Sequence, residues 1–277
     1  MDDQSSISLS QRHRDNRVAW NEAAQFYEAK VDEDIAFLRS GGKNLCAPEL
    51  IYLHDLSSWC GRAIHLQCAA GCDTLSLWNQ GAAEVVGLDI SERMIKAARR
   101  KSDALSAPAL WYCCDILEAP HELDGTADLV YTGRGALCWI MDIGAWSQTV
   151  ARLLKQGGRL YVFEGHPLDW VWDIAASELR FDPQPPYGSY FSQTVSVDKG
   201  WPETYIPAAS LPPTNEQAAK HERQWTLGQI LNSLVEAGLR LERFDEYPEH
   251  YWNHFPNLPQ DIARRLPHTF SLLMRKG

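Results

Sequence analysis

The chain has 277 residues, of which 45% are hydrophobic and 10% aromatic, enough to bury the core of one large domain or of one domain with an insertion. Its formal net charge is −10 at pH 7, so the surface as a whole repels nucleic-acid phosphates and anionic lipid head groups, and neither partner is expected. Residues Met1 to Asn16 are polar, without the apolar core of a secretory signal, and no stretch approaches the roughly 20 apolar residues of a membrane span. We therefore expect a soluble, cytoplasmic protein.

From residue 61 to about residue 165, short apolar runs alternate with longer amphipathic runs, a pattern typical of βα units and hence of a parallel sheet. Gly81 is placed to end the first helix, and Ser91 to cap the second, in which Met94 and Ile95 share one face with Ala98. The predicted strands are Ala63–Leu66, Glu84–Asp89, Ala109–Cys114, Ala127–Tyr131 and Arg159–Phe163, and the predicted helices include Cys72–Gln80 and Gly144–Leu154, the latter followed by a turn at Gln156–Gly158.

The last part of the chain returns to regular elements after an irregular stretch. Thr226–Ala237 is a periodic helix that ends at Gly238, and Leu239–Phe244 and Thr269–Met274 are predicted to supply a sixth and a seventh strand. Residues 166–224 break into proline-rich and aromatic-rich pieces. Structureless loops of this length are rare in compact domains, so we predict an inserted cap with short strands of its own, a feature that commonly carries function.

The turn from Gln67 to Gly71 joins the first strand to its helix with small side chains, which let a ligand lie close to the backbone. Asp89 follows Gly71 by 18 residues at the end of the second strand, where a carboxylate can accept hydrogen bonds from both hydroxyls of a ribose. Asp115 follows the third strand and is placed to receive an adenine amino group. The pairing indicates an adenosine-type cofactor, although Asp89 could instead serve a helix cap and Asp115 an Asx-turn.

A nicotinamide dinucleotide also uses a glycine turn followed by an acidic residue. The sequence has no G-x-G-x-x-G run, and a turn with one glycine crowds a pyrophosphate but leaves room for the amino-acid tail of S-adenosylmethionine (SAM). These features favour SAM over a nicotinamide cofactor.

The seven cysteines are an odd number, and five of them lie in or beside the predicted strands. This distribution differs from a spaced disulfide framework, so we expect reduced thiols. Neither Cys68-x-x-x-Cys72 nor the pair Cys113-Cys114 has a nearby cysteine or histidine at a zinc-like spacing, so small buried side chains are the better interpretation and no metal site is predicted.

Five segments follow one another in the order of the motifs of the Rossmann-like (class I) SAM-dependent methyltransferases, which the sequence resembles over most of its length. They are Gln67–Gly71, Gly87–Ser91, Asp115–Ile116, Ala127–Tyr131 and Leu153–Leu160. Residues 20–27 are similar to the amino-terminal helix that lids the cofactor in many members, and the Leu-Gln-Cys turn indicates a subgroup. Trp20 and Tyr27 in that helix are also spaced as an ordinary core stripe.

The resemblance implies an α/β fold with a Rossmann-like seven-stranded sheet, an antiparallel last strand, helices on both faces and a cap inserted after strand five. The implied organisation is an N-terminal helical lid at residues 1–60, a SAM-binding methyltransferase domain at residues 61–165 and 225–277, and an inserted cap at residues 166–224 that contributes to the substrate pocket.

The resemblance also implies how the sugar and methionine ends of SAM are held. The backbone at Gln67 and Gly71 would face the methionine part, and Asp89 would hold the ribose. The sequence departs from the family where it has His65 in place of the usual acidic residue and Gln67 and Ala69 in place of glycines. The change at His65 removes the usual tether of the methionine amine.

At the adenine end, the resemblance implies that Ile90 and Met94 pack on the ring and that Asp115 with Ile116 clamps its edge. Thr132 would lie under the sulfonium. The full set of expected cofactor-binding residues is Trp20, Tyr27, Gln67, Gly71, Asp73, Thr74, Asp89, Ile90, Met94, Cys114, Asp115, Ile116 and Thr132.

Methyl transfer is an in-line displacement at a sulfonium carbon, so the main task of the enzyme is to hold the acceptor close and aligned, and a base is needed only if the acceptor must lose a proton. His166 would lie at the carboxyl edge of the sheet and is the first candidate base, with a structural histidine before a proline as its alternative. Tyr131 is a candidate orienting hydroxyl, and His221 or Glu222 are further candidates.

The cap and tail are crowded with aromatic side chains, which form either the wall of a pocket for a planar or cationic molecule or the core of the cap itself. They include Trp170, Trp172, Tyr187, Tyr190, Phe191, Trp201, Tyr205, Trp225, Tyr251 and Trp252. The favoured function is a SAM-dependent methyltransferase acting on an oxygen or nitrogen atom of a small, aromatic or planar molecule. The alternatives are a methyltransferase with a protein or RNA target and a non-catalytic SAM-binding module. A homodimer is the default expectation for a soluble enzyme.

Overall fold

The computed structural model describes residues 7–277, so the first six residues of the polar amino terminus and of the predicted lid lie outside the described residues. Seven strands form one mixed sheet in the order β3-β2-β1-β4-β5-β9-β8. Their bounds are Arg62–Leu66 (β1), Glu84–Asp89 (β2), Ala109–Cys113 (β3), Ala127–Gly133 (β4), Leu154–Gly165 (β5), Leu239–Tyr247 (β8) and Thr269–Lys276 (β9). Strands β1 to β5 pair in parallel, and β9 runs antiparallel between β5 and β8. The predicted Rossmann-like α/β class with its antiparallel last strand is confirmed.

Eight α-helices accompany the strands in the described part of the chain. They are Leu9–Glu28 (α1), Val31–Arg39 (α2), Ala47–Tyr52 (α3), Cys72–Asn79 (α4), Glu92–Leu105 (α5), Ile143–Leu153 (α6), Leu227–Glu236 (α7) and Gln260–Ala263 (α8). As predicted, the Ser91 hydroxyl caps α5 by accepting a hydrogen bond from Met94 N at 3.2 Å. Within residues 7–277, none of the helices combines the length and the apolar character needed to cross a bilayer.

The core lies in two layers, one on each face of the sheet, because successive strand residues point to opposite faces. In β1, Ile64 belongs to the cluster that contains Trp146 of α6, whereas Ala63 belongs to the cluster that contains Leu75 of α4. The same alternation places Tyr131 of β4 in the second cluster. The helices therefore cover both faces, and the carboxyl ends of the parallel strands are left to form a site.

The start of β5 differs from the prediction. The structure starts β5 at Leu154, directly after α6, where the sequence predicts a turn at residues 156–158. The pairing of β4 with β5 jumps from Ala127↔Leu154 to Leu129↔Arg159, and Gly157 adopts a φ of +75°. The glycines therefore form a bulge within the strand rather than a turn before it.

The segment between β5 and α7 contains a 3₁₀ helix, Pro167–Val171, and two short strands, Ser196–Asp198 (β6) and Lys220–Glu222 (β7), which pair antiparallel. Helix α1 lies against β7, where the Asn16 side chain exchanges two hydrogen bonds with the backbone of His221 at 2.8 and 2.6 Å. This joins the amino-terminal helix to the segment that follows β5. All seven cysteines are free thiols.

Candidate functional site

A first cavity of about 290 Å³ lies at the carboxyl ends of β1, β2 and β4 and below α1. This is the edge at which ligands bind in open α/β sheets, because connecting loops diverge there. Its lining brings together His13, Asn16, Trp20, Tyr27, Asn44, His65, Gln67, Cys68, Ala69, Asp73, Asp89, Ile90, Asp115, Ile116, Gly133, Arg134, Gly135, Ala136, Trp139, Ile140, Tyr205, Tyr251 and Trp252.

The turn after β1 is held in the left-handed backbone region. Gln67, Ala69 and Gly71 adopt φ values of +56°, +44° and +75°. Left-handed φ costs little only for glycine, which explains why the resembled family usually has glycine at the first two positions. The Gln67 side chain compensates by donating from Nε2 to the Ala136 carbonyl at 2.7 Å, and this bond joins the turn to the loop after β4.

Gly71 serves packing rather than the cavity wall. A Cβ built at this position would lie 2.5 Å from the Trp111 ring and 2.8 Å from the Cβ of Ala98. The glycine therefore permits close packing of the turn against α5 and β3, and it is not among the residues that line the first cavity.

Asp89 lies at the end of β2, where burial and hydrogen bonding shift the pKa of its carboxyl group in opposite directions. Its Oδ2 accepts from Ala69 N at 2.8 Å, and its Oδ1 accepts from Ser91 N at 2.9 Å. Burial raises its pKa from the ordinary value of 3.8 to about 6, and these backbone bonds only partly oppose the shift. Each carboxylate oxygen keeps a second lone pair, so the side chain can both brace the turn and accept hydrogen bonds from a ligand.

Asp115 follows β3 and is paired with a residue that the sequence analysis did not single out. His13 of α1 lies 2.5 Å from Asp115 Oδ2 through Nδ1, while Asp115 Oδ1 accepts from Leu117 N at 3.0 Å. Burial is the largest single influence and favours the neutral carboxyl, but the hydrogen bond with His13, the charge of His13 and the bond from Leu117 N together outweigh it and lower the pKa of Asp115 below its usual value. The carboxylate is therefore ionised at neutral pH and lies where α1 covers the cavity.

The other end of the cavity carries an opposite-charge pair. Asp73, in the first turn of α4, accepts a hydrogen bond from Asn44 Nδ2 at 2.6 Å and forms an ion pair with Arg134. Arg134 also donates to the Asn44 carbonyl at 2.8 Å. Both charged side chains line the cavity, so this end offers one cation and one anion to a zwitterionic group.

His65 occupies the position at which the family usually has an acidic residue. It is buried, its Nδ1 lies 2.8 Å from Thr74 Oγ1, and burial lowers its pKa to about 4. The imidazole is therefore neutral at pH 7 and lines the cavity as a hydrogen-bonding group without charge.

The structure places the predicted cofactor residues in two sets. Trp20, Tyr27, Gln67, Asp73, Asp89, Ile90, Asp115 and Ile116 line the first cavity. Gly71, Thr74, Met94, Cys114 and Thr132 do not. Among these, the Thr132 hydroxyl is buried and donates to the Leu66 carbonyl at 3.3 Å, and Met94 packs in a small cluster against Trp20 and Tyr27. Thr132 and Met94 therefore lie behind the residues that form the wall.

A second, larger cavity of about 550 Å³ adjoins the first. Its aromatic lining consists of Trp139, Trp170, Trp172, Tyr187, Trp201, Tyr205, Trp225, Tyr251 and Trp252. Both cavities share the lining residues Arg134, Gly135, Trp139, Tyr205, Tyr251 and Trp252. Two of the aromatic residues predicted from the sequence do not line this cavity. The Tyr190 hydroxyl accepts a hydrogen bond from Leu227 N at 3.1 Å, and Phe191 is 78% exposed.

His166 lines the second cavity, but its hydrogen bonds occupy both ring nitrogens. Nδ1 accepts from Leu168 N at 3.0 Å and thereby caps the following 3₁₀ helix, while Nε2 lies 2.9 Å from Glu246 Oε1. A general base needs a free lone pair directed at the acceptor. This geometry favours the structural alternative for His166.

Tyr131 requires a correction. Its ring is 1% exposed, stacks near Tyr161 at a centroid distance of 6.4 Å, and its hydroxyl donates to Glu49 in the interior. The side chain lines neither of the two cavities, because the alternation of β4 directs it to the face covered by α4. Of the further candidates, Glu222 lines the second cavity, while His221 Nε2 contacts Asp15 at 3.0 Å outside it.

The loop after β4 is fixed by one buried carboxylate. Glu164 accepts hydrogen bonds from Gly135 N, Ala136 N and Leu137 N at 2.5, 2.7 and 3.0 Å. Burial raises its pKa, although these bonds oppose the shift. Tyr251 places its hydroxyl 3.5 Å from Glu164 Oε1 at the junction of the two cavities. Glu164 therefore positions the loop that separates the cavities.

Two residues of the first cavity gave no local signal in the sequence. His13 and Asn44 belong to elements far from the motif turns, and tertiary contacts alone bring them to the wall. Tyr205 was expected only as one of many aromatic side chains of the cap. Arg134 has a weak signal, because it stands between two glycines directly after a predicted strand and adopts a φ of +58°.

Residues 63–158 match the family described as "Methyltransferase domain". The chain is 27% identical over 175 residues to the ubiquinone biosynthesis O-methyltransferase of Neisseria meningitidis, covering 60% of this chain and 66% of that protein. It is 30% identical over 105 residues to the uncharacterized protein YafE of Escherichia coli, covering 36% of this chain and 50% of that protein. The chain thus spans about half the length of the latter relative.

Among solved structures, an S-adenosylmethionine dependent methyltransferase from Mesorhizobium loti superposes with a TM-score of 0.58 at 21% identity, covering 83% of this chain and 96% of that chain. At this identity the likeness shows the fold. The fold therefore agrees with the motif order, and the Leu-Gln-Cys subgroup stays a prediction.

Proposed function

We propose that this protein, whose residues 63–158 match the family described as "Methyltransferase domain", transfers the methyl group of SAM to an oxygen or nitrogen atom of a small, planar molecule. The observation that carries the proposal is the pair of adjoining cavities. One has the carboxylates suited to an adenosine, and the other is larger and aromatic, and the two share six lining residues. Methyl transfer needs two sites that meet at the sulfonium carbon.

In this proposal SAM occupies the first cavity. Asp89 would accept hydrogen bonds from the ribose hydroxyls, and Ile90, Asp115 and Ile116 would hold the adenine. The ion pair of Asp73 and Arg134 receives the amine and carboxylate of the methionine part, and this takes over the role of the acidic residue that His65 replaces. The residues shared with the second cavity would then lie nearest the methyl group that SAM supplies.

The acceptor occupies the second cavity, against indole rings such as those of Trp139 and Trp201 and beside the phenol of Tyr251. Offset stacking on such rings suits a planar molecule and holds it without a strong dependence on its substituents. Tyr251 replaces Tyr131 as the proposed orienting hydroxyl, because burial raises its pKa well above the ordinary value and keeps the phenol protonated as a donor.

The first experiment is a calorimetric titration of the purified protein with SAM, S-adenosylhomocysteine and NADH side by side. We expect micromolar binding of the first two alone. Asp89→Ala should weaken both, and Asp103→Ala, which removes an exposed carboxylate from α5, should leave both unchanged. Binding of NADH alone, or of none of the three, contradicts the proposal.

The second experiment identifies the acceptor class. The protein is incubated with methyl-labelled SAM and a fractionated cell extract, and the label is followed by mass spectrometry in the small-molecule, protein and RNA fractions. We expect label in a small aromatic compound bound through oxygen or nitrogen. Label confined to protein or RNA contradicts the small-molecule assignment, and cofactor binding with no labelled product in any fraction supports a non-catalytic SAM-binding module instead.

A further inference from the structure

Three side chains with metal-binding atoms meet in the wall of the second cavity. They are Asp169 in the 3₁₀ helix after β5 and His250 and His254 in the loop between β8 and α8. One potential ligand atom from each lies within 4.8 Å of the other two. The cluster lies apart from the carboxylates of the first cavity, and the proposed methyl transfer does not use it.

Two buried polar atoms of this cluster lack hydrogen-bond partners among the described residues. Asp169 is 3% exposed, and its Oδ2 makes no hydrogen bond with the described part of the chain. The buried Nδ1 of His254 is likewise unpartnered among residues 7–277. Buried oxygen and nitrogen atoms are almost always satisfied, so two unsatisfied atoms in one cluster of side chains point to a ligand that satisfies both.

The spacing of the cluster agrees with coordination. Asp169 Oδ2 lies 3.3 Å from His250 Nε2, a long distance for a hydrogen bond. Two ligands that each bind Zn²⁺ at about 2.0–2.1 Å in a tetrahedron stand about 3.3–3.4 Å apart. The two imidazole rings are nearly parallel, with centroids 4.8 Å apart and an interplanar angle of 10°. Because a ligating imidazole holds the ion near its ring plane, one of the two rings must turn to bind the same ion as the other.

The other oxygen of the carboxylate is fixed from behind. Asp169 Oδ1 lies 2.7 Å from His268 Nδ1, and His268 Nε2 lies 2.8 Å from the Ala263 carbonyl. Ligating carboxylates are commonly held by such a second hydrogen bond, which sets their orientation. One contact opposes this arrangement, because Trp252 N donates to His250 Nδ1 at 3.4 Å. A metal bound to Nε2 would require the proton on Nδ1, and this long hydrogen bond would then break.

We propose that Asp169, His250 and His254 bind a divalent transition-metal ion, with Zn²⁺ as the reference case. Two imidazoles and one carboxylate suit zinc, iron or nickel better than magnesium or calcium, which prefer oxygen ligands. Three protein ligands leave at least one position for a water or a substrate, and that position faces the second cavity. An acceptor with an oxygen or nitrogen donor would bind at that position. Binding of the acceptor there rests on the proposed function, whereas the metal site itself does not.

The test measures metal directly and needs neither SAM nor an acceptor. Tag-free protein is stripped with a chelator and titrated with Zn²⁺ against a chromophoric competitor, and the metal retained after gel filtration is counted by mass spectrometry. We expect about one ion per chain in the wild type and an affinity more than about 100-fold weaker in His254→Gln. His121→Gln, which alters a histidine whose side chain is 89% exposed, is the matched control and should bind as the wild type does.

Equal Zn²⁺ affinity in the wild type and in a folded His254→Gln overturns the proposal, as does a wild type that retains no ion. Zinc-edge X-ray absorption of the loaded wild type tests the same site without any variant, and it should show two imidazole ligands; fewer than two overturns the assignment. Loss of methyl transfer with intact Zn²⁺ binding would count against the proposed function alone.

Discussion

The protonation of Asp89 should set the pH dependence of cofactor binding. Burial holds its pKa at about 6 in the cofactor-free protein, against an ordinary value of 3.8, which corresponds to about 3 kcal/mol in favour of the neutral carboxyl. Ribose hydroxyls donate to a carboxylate more strongly than to a neutral carboxyl, so the ligand binds best when Asp89 is ionised. Below about pH 6 each binding event must therefore first remove a proton.

The expected loss of affinity for S-adenosylhomocysteine is about tenfold between pH 7 and pH 5, since about one carboxyl in ten is ionised at pH 5. Asp115 adds nothing in this window, because its pKa lies below the usual range of an aspartate. The raised pKa of Asp89 also makes the free energy of unfolding depend on pH. Because the folded-state pKa of Asp89 lies above the unfolded value, its contribution to the free energy of unfolding is present below about pH 4 and is lost as pH rises to about 6.

Calorimetry at half-unit steps from pH 5 to pH 8 measures this dependence, with circular dichroism to establish that the protein stays folded. Asp89→Asn should bind about 10- to 100-fold more weakly at pH 7, the equivalent of one hydrogen bond to a charged group, and its affinity should no longer change with pH. A wild-type affinity that is flat from pH 5 to pH 8, or a slope that persists in Asp89→Asn, refutes the role given to this carboxylate.

Two further predictions concern packing and chemistry. Gly71→Ala should lower the free energy of unfolding by about 1–3 kcal/mol more than Gly157→Ala. Both glycines have a φ of +75°, but only a Cβ at position 71 meets the Trp111 ring. Equal losses in urea unfolding would show that backbone strain alone matters at position 71. Tyr251→Phe should lower kcat about tenfold and leave SAM affinity unchanged. The control is Tyr112→Phe, which removes a hydroxyl that contacts Glu122 at 2.7 Å and should change neither quantity. An unchanged kcat in Tyr251→Phe would contradict the orienting role.

The local part of the site could be predicted from the sequence. Parallel strands end at the same edge of a sheet, so a carboxylate at the end of β2 and another after β3 were expected to lie near one ligand, and Asp89 and Asp115 do line one cavity. The same periodicity predicted the βα order of residues 61–165. The periodicity did not say to which face of the sheet each side chain of a strand points. The prediction therefore placed Tyr131 at the site, whereas in the structure its side chain faces the core.

The pairings across the chain were decided by tertiary structure alone. His13 meets Asp115 from 102 residues away, and Asp169, in the segment after β5, meets His250 and His254 of the loop between β8 and α8. No local pattern encodes such contacts, because they depend on how helices and loops pack over the sheet rather than on the spacing of residues within one element. The sequence by itself determined the order of strands, the motif turns and the carboxylates at the strand ends. Only packing of α1, the loop after β4 and the segment after β5 decided which side chains close the two cavities.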